Sequence, residues 1–212
     1  MQLEIEATFI EIDKDELRAK LKTAGATLIR PETFMRRVVF NISQHAFARV
    51  RDEGDRVVLT YKNQRNHTIT GTEEINVEVS DYSDTIAILK ACGLHTKSIE
   101  DTYRESWKLG DVEIDIDTWP WIPSFVEIEG QTPKAVKTTS EQLGFDMKDA
   151  IIGSVDEIYK LYYDVTSEDI NFGLSEIKFT DAPAKLASKL RKIPLPPATK
   201  QADPNAKPRA QS

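Results

Sequence analysis

The sequence predicts an α+β protein: an eight-stranded antiparallel sheet closed into a tunnel, with a charged lumen and helices packed outside. Three observations lead there. Eight segments alternate charged and apolar residues with the two-residue period of a strand. Amphipathic helical patterns fall between them and need an apolar sheet face to cover. The charged face is almost free of the Ser, Thr and Gln that mix into ordinary solvated faces, and it combines at least five cations with nine carboxylates. An open sheet with one wet face would explain any single strand. It does not explain so many opposed charges on one surface, whereas closing the sheet removes its edges and turns those charges inward. Ionised groups so enclosed are costly unless paired or ligand-bound, so the lumen should bind something ionic.

In LEIEATF, Glu4, Glu6 and Thr8 share one face and Leu3, Ile5, Ala7 and Phe9 the other. A helix from Asp13 to Ala24 follows: Asp13 and Glu16 make a capping box, Leu17, Leu21 and Ala24 an apolar stripe, and Gly25 suits the left-handed C-terminal position. MRRVVFN sets Arg37 and Asn41 against Val38 and Phe40. FARVRDEG sets Arg49 and Arg51 against Ala48 and Val50, and the turn at Asp52 to Asp55 returns through VVLTYK, where Thr60 and Lys62 oppose Leu59 and Tyr61. EINVEV sets Glu74, Asn76 and Glu78 against Ile75, Val77 and Val79, then leads into a helix bearing Ile86 and Leu89 that stops at Gly93. Arg104 shares parity with Thr102 and Ser106. Glu113, Asp115 and Asp117 oppose Val112, Ile114 and Ile116, and Glu127 and Glu129 oppose Val126 and Ile128. A helix from Lys134 to Leu143 begins after Pro133 and ends at Gly144. Another, capped by Ser154 and Glu157, carries Ile158, Leu161 and Tyr162 on one face. KTAGA and KACGL end two strand-to-helix units alike, which hints at internal duplication.

The chain of 212 residues has 28 Lys plus Arg against 35 Asp plus Glu, a formal charge of -7, which argues against nucleic acid as the main partner. No apolar run approaches the roughly 20 residues of a bilayer span. MQLEIEATF has neither the basic start nor the apolar stretch of a secretory signal, so a cytoplasmic protein without membrane contact is expected. The single Cys92 excludes internal disulfides and thiolate cages and reads as a small packing residue; Tyr61 reads as core. His45, His67 and His95 show no metal-ligand spacing. Residues 1–180 read as one domain. Residues 181–212 read as a Pro-rich, largely disordered tail, suited to docking an unknown partner, with a short basic helix from Lys185 to Lys192. The sequence leaves the oligomeric state open, a homodimer included.

Glu4 with Glu6 and Glu127 with Glu129 each place two carboxylates about 7 Å apart along a strand. Together they suit a hard divalent cation with oxygen ligands, Mg2+ or Mn2+ rather than zinc. Arg37, Arg49, Arg51, Lys62 and Arg104 supply the opposite charge, and guanidinium forks fit phosphate oxygens. Acids, cations and metal point to a polyphosphate ligand. The loop WPWIP, residues 119–123, either covers a channel mouth and stacks a ring of the ligand or packs against the outer helices.

With these residues in place the chain resembles the CYTH superfamily of triphosphate tunnel metalloenzymes. The likeness covers roughly residues 1–165. It rests on EIEATF, matching the Glu-x-Glu-x-Lys signature, followed in order by RVR, LTYK, GTEEINVEV, RESW and DIDTWPWIPSFVEIEG. The resemblance implies an eight-stranded antiparallel tunnel. It implies metal ligation by Glu4, Glu6, Glu127 and Glu129 with Asp117 nearby, and triphosphate binding by Arg37, Arg49, Arg51, Lys62 and Arg104. The implied activity is metal-dependent hydrolysis of inorganic triphosphate, a nucleoside triphosphate or thiamine triphosphate. The alternatives are a class IV adenylyl cyclase, making cyclic AMP and pyrophosphate from ATP, and a non-catalytic nucleotide or polyphosphate-binding module. Two positions depart from the pattern: Thr8 stands where the signature has Lys, and Asn76 where many relatives have a third acid. Losing one charge-assisted hydrogen bond costs about 1.5–3 kcal/mol, enough to shift rate or substrate preference without abolishing binding.

Overall fold

A computed structural model describes residues 2–64, 72–171 and 173–191, apart from the side chains of residues 2–4 and 64. The strands are β1 (Gln2–Glu4), β2 (Glu6–Phe9), β3 (Thr27–Asn41), β4 (Ala46–Asp52), β5 (Val57–Gln64), β6 (Thr72–Val79), β7 (His95–Leu109), β8 (Val112–Thr118), β9 (Phe125–Glu129) and the short β10 (Glu176–Ile177). Their order in the sheet is β1-β6-β5-β4-β3-β7-β8-β9-β2, antiparallel throughout, with β10 added parallel to β7. β1 and β2 are one run of chain broken only at Ile5. That run pairs with β6 through Gln2 to Glu4 and with β9 through Glu6 to Phe9. The same segment therefore stands at both ends of the strand order, and the sheet curls round on itself as eight antiparallel strands.

The order also shows the duplication. β2, α1 (Lys14–Ala24) and the meander β3-β4-β5 repeat as β6, α2 (Tyr82–Ala91) and the meander β7-β8-β9. Each half lends its first strand to the other half's last, and β3 pairs with β7 along most of their length. The strand-to-helix unit that enters α3 (Pro133–Gln142) is followed by no meander and is not a third copy.

Local chemistry sets the helix ends. The Asp13 carboxylate accepts from the N–H groups of Asp15 and Glu16, both at 2.9 Å, and Gly25 closes α1 at φ 84°. Thr132 caps α3, with Pro133 in its first turn. Leu17, Leu21, Val136 and Leu143 pack on the outward residues Ile5, Ala7, Phe9, Ile114, Ile116, Val126 and Ile128. Ile86 and Leu89 of α2 cover Val38, Phe40, Ala48 and Val50. Each fully buried side chain of this kind contributes about 1.5–3 kcal/mol, so packing rather than helix propensity seats these helices. A third cluster joins the loop residues Trp119 and Ile122 to α4 (Val155–Tyr162), α5 (Ser167–Asn171) and α6 (Ala184–Ala187).

Several expectations are corrected. Ser154 precedes α4 but makes no capping bond; its hydroxyl donates to the Asp156 carboxylate instead. Leu161 is exposed, because the buried stripe of α4 runs through Ile158, Tyr159 and Tyr162. Cys92 lies at the exposed end of α2, and Tyr61 is half-buried. The basic helix past Lys185 is the single turn of α6, whose Leu186 is buried against α4. His67 and residues 192–212 lie outside the described residues. Among the described residues no helix is long and apolar enough to cross a membrane.

Candidate active site

The inward faces enclose a cavity of about 500 Å3. One wall is basic: Arg37 on β3, Arg49 and Arg51 on β4, and Lys62 on β5 line it. The facing wall is acidic, formed by Glu6 on β2, Glu74 on β6, Asp115 on β8, and Glu127 and Glu129 on β9. The structure thus gathers eight of the ten expected site residues around one space, Arg104 of β7 being the eighth. Asp117 is fully buried behind Arg104, and the side chain of Glu4 lies outside the described residues. Strand pairing sets the acids in rows. Glu129 is the cross-strand partner of both Glu6 and Glu113, and Glu127 that of both Thr8 and Asp115.

Arg104 ties the acidic wall together. Its guanidinium bonds Asp115 at 2.6 Å, Glu127 at 2.6 Å, and both oxygens of Asp117. Burial works against its charge, but the three carboxylates outweigh burial and hold its pKa well above the usual value. Burial pushes the Glu127 carboxyl upward, against the pull of Arg104. Glu127 and Arg104, expected to hold a metal and a phosphate respectively, are bonded to each other in this structure.

The basic wall is less satisfied. Arg37 is buried, its Nη2 donates to Thr102 Oγ1 at 2.5 Å, and its guanidinium carbon lies 4.9 Å from the ring centre of Trp119. Arg49 donates from Nη2 to Thr60 Oγ1 at 3.3 Å, and Thr60 in turn donates to Asn76 at 2.7 Å. In both residues Nε is buried with no hydrogen-bond partner. Burial first, then the charge of Arg51, lowers the pKa of Arg37 to about 10 and that of Arg49 well below the arginine value. Two such guanidinium groups with spare donors have the chemistry that suits an anion.

Three contributors escaped the sequence reading. Glu53, in the β4–β5 turn where strand parity stops applying, is buried and pairs with Arg30 at 3.1 Å, Arg56 at 2.8 Å and Arg51. Burial opposes its ionisation, but Arg51 and Arg56 prevail and hold its carboxyl at about 2. Lys97 is the extra residue at a register shift of β7 against β3, where Val39 faces Ser98 and Phe40 faces Thr96; the bulge brings a residue of the wrong parity into the cavity lining. Its amine donates to Asn171 Oδ1 at 2.6 Å, and burial lowers its pKa. Glu100 has the inward parity of Arg104 and could have been read from the sequence; Ser98 donates to it at 2.6 Å.

A carboxyl held at about 2 in the fold and near 4.3 in an unfolded chain stabilises above pH 4.3, and that contribution fades as pH falls toward 2. For Glu53 it amounts to about 3 kcal/mol. Glu53→Gln is expected to lose most of it at pH 7 and to flatten the acid limb of the stability curve between pH 4 and pH 2, as measured by urea unfolding at each pH.

Residues to hold a divalent ion are partly in place. Among the described residues, no group of three or more His, Cys, Asp or Glu side chains is arranged to hold a metal ion by itself. Glu6 and Glu129 are nevertheless cross-strand partners, two carboxylates side by side on neighbouring strands of the acidic wall. The buried Oδ1 of Asp115 has no donor. Mg2+ is commonly held by one or two carboxylates with substrate phosphates completing its shell, and this donor set fits that pattern.

A curled eight-stranded sheet lined by a basic and an acidic wall defines a charged-tunnel protein built for a small ionic ligand. The model of the CYTH domain matches residues 3–162, and the chain belongs to that family. Solved structures share its fold. The PH1012 protein from Pyrococcus horikoshii OT3 is 22% identical with a TM-score of 0.63, over 70% of this chain and 94% of that one. A candidate adenylate cyclase from Vibrio parahaemolyticus is 13% identical with a TM-score of 0.65, over 75% and 98%. No curated protein matches the sequence.

Proposed function

We propose that the chain is a metal-dependent triphosphatase that hydrolyses the terminal phosphoanhydride of a triphosphate compound. The observation that carries this reading is the pair of guanidinium groups of the buried Arg37 and the partly buried Arg49, whose buried Nε donors have no partner among the described residues. Phosphate oxygens supply the acceptors, and a chain of phosphates engages Arg37, Arg49, Arg51 and Lys62 along one wall. Glu6 and Glu129, with Glu113 beside them, would hold Mg2+ or Mn2+, which when bound offsets phosphate charge against the acidic wall. Arg104 holds Asp115, Asp117 and Glu127 in fixed positions, so the protein need not reorganise as charge develops. The Asp115 carboxylate, on the acidic wall, would accept a hydrogen bond from the attacking water. Water adds at the terminal phosphorus, the bridging P–O bond breaks, and orthophosphate leaves with the shortened diphosphate compound.

Thr8 supports hydrolysis with altered preference rather than loss of function. It is buried, and its backbone is taken up by Ile151, with Thr8 N donating to Ile151 O at 3.3 Å and the reverse bond at 2.9 Å. Arg104 brings positive charge to Glu127, the cross-strand neighbour of Thr8. Purified protein with Mg2+ or Mn2+ is expected to release orthophosphate from at least one of inorganic triphosphate, ATP and thiamine triphosphate, read by phosphate assay with product chromatography. Cyclic AMP with pyrophosphate as the only products, or tight binding without turnover, would replace this reading with a cyclase or a binding module.

A further inference from the structure

The geometry points to Trp119 as a phosphate-binding residue whose indole N–H helps receive the terminal phosphate, and so to the direction in which the substrate lies in the tunnel. This inference rests on the triphosphate reading above.

Trp119 lines the same cavity as Arg37 and Arg49. It is only 7% exposed, yet its Nε1 has no hydrogen-bond partner. An orphaned buried donor costs about 1–3 kcal/mol, and three residues that each carry one, Arg37, Arg49 and Trp119, line one cavity. Stacking on a base is a poor account of this tryptophan, because the Arg37 guanidinium already sits over its ring, 4.9 Å from the ring centre. What remains unused is the N–H, a neutral donor that suits an oxyanion and carries no charge to be neutralised by the acidic wall.

The loop that carries it is held from behind. Tyr159 donates its hydroxyl to Pro120 O at 2.7 Å, Tyr163 to Trp121 O at 2.6 Å, and Trp121 Nε1 to Thr180 O at 2.7 Å. Trp121 itself takes a positive φ of 66°, a conformation that persists in a non-glycine residue only where its surroundings enforce it. Fixed donors of this sort bind without paying a large ordering cost.

The two ends of the cavity differ. Around Trp119 the lining includes Val155 and the buried Asp156, so α4 walls this end. Ile29, eight residues along β3 from Arg37 and so roughly 25 Å away at strand rise, lines the other end and is 58% exposed. The terminal phosphate accordingly goes to the walled end, against Trp119 and Arg37, and the organic group extends toward Ile29 and solvent. Inorganic triphosphate and a nucleoside triphosphate then present the same group to Trp119.

Trp119→Phe keeps the ring under Arg37 and the packing against α4 but removes the donor. Calorimetric titration with inorganic triphosphate and with ATP, each with Mg2+, is expected to show both affinities falling about tenfold, with the melting temperature of the unliganded protein little changed. In the wild-type chain labelled with 15N-tryptophan, the Trp119 indole N–H resonance is expected to move on adding inorganic triphosphate, a measurement that stands even if the variant folds poorly. Equal wild-type and variant affinities, or an indole signal that does not move, would overturn the assignment of Trp119. A loss confined to ATP would reverse the orientation. A wild-type protein that binds no triphosphate at all overturns the functional reading, and with it this one, and is told apart from those outcomes by the wild-type titration alone.

Discussion

Arg104→Ala is expected to cost about 3–5 kcal/mol of folding stability, a large share of the 5–15 kcal/mol that holds a typical domain together. The guanidinium serves three carboxylates, of which Asp117 is fully buried, and deleting it leaves them facing one another without a counter-charge between them. Unfolding in urea should show the loss at pH 7. The pH dependence has a definite sign. Burial already raises the Glu127 carboxyl, and without Arg104 only the smaller pull of Lys62 opposes that rise. A carboxyl whose folded pKa exceeds its unfolded value destabilises at high pH and recovers as pH falls through the folded value. With Glu127 already at about 7 in the wild type, the variant should therefore lose further stability relative to wild type as pH rises above 7 and regain it as pH falls back to 7. Arg104→Lys is expected to fall between the two, since one ammonium cannot span three acids. An Arg104→Ala protein as stable as wild type at pH 7 would show that the acids are hydrated rather than held by the arginine.

Replacing Glu6 and Glu129 together by Gln is expected to abolish metal-supported phosphate release, by at least about a hundredfold, while leaving the melting temperature unchanged or slightly raised. The two carboxylates are cross-strand partners on β2 and β9, with Glu113 next in the row. Like charges placed directly opposite destabilise a sheet, and amides of the same shape remove that repulsion. Loss of activity and gain of stability in one protein separates ligand-holding acids from structural ones. Retained turnover at saturating Mg2+ would locate the ion elsewhere in the tunnel. Glu127 is the less informative target, because it is also bonded to Arg104 at 2.6 Å and its loss would disturb both walls at once.

The barrel and most of its lining were legible in the sequence because both depend on local periodicity. Alternation along β2, β4, β8 and β9 survives as alternate burial, with Ile5, Ala7 and Phe9 outward into the helix layer and Glu6 inward. Periodicity fails where the backbone departs from regular geometry. Glu53 lies in a turn, where parity has no meaning, and Lys97 sits at a bulge that reverses it. Nor can parity tell which opposite charges neutralise each other. Arg104 and Glu127 were both inward by parity, yet their mutual bond depends on β7, β8 and β9 lying side by side, which sequence alternation does not encode. Trp119 was read as either a cover or a packing residue; the structure places it in a hydrophobic cluster and along the cavity at the same time.

The two walls of the bore are opposite in sign: β3, β4 and β5 face it with Arg37, Arg49, Arg51 and Lys62, while β8, β9 and β2 face it with Glu113, Asp115, Glu127, Glu129 and Glu6. Such an arrangement works as two plates of a charged condenser set across a low-dielectric gap, with a field running from plate to plate and not along the axis. A dipolar guest entering that gap lies crosswise polarised, its anionic side drawn to the strands that carry the arginines and any attendant cation to the strands that carry the carboxylates.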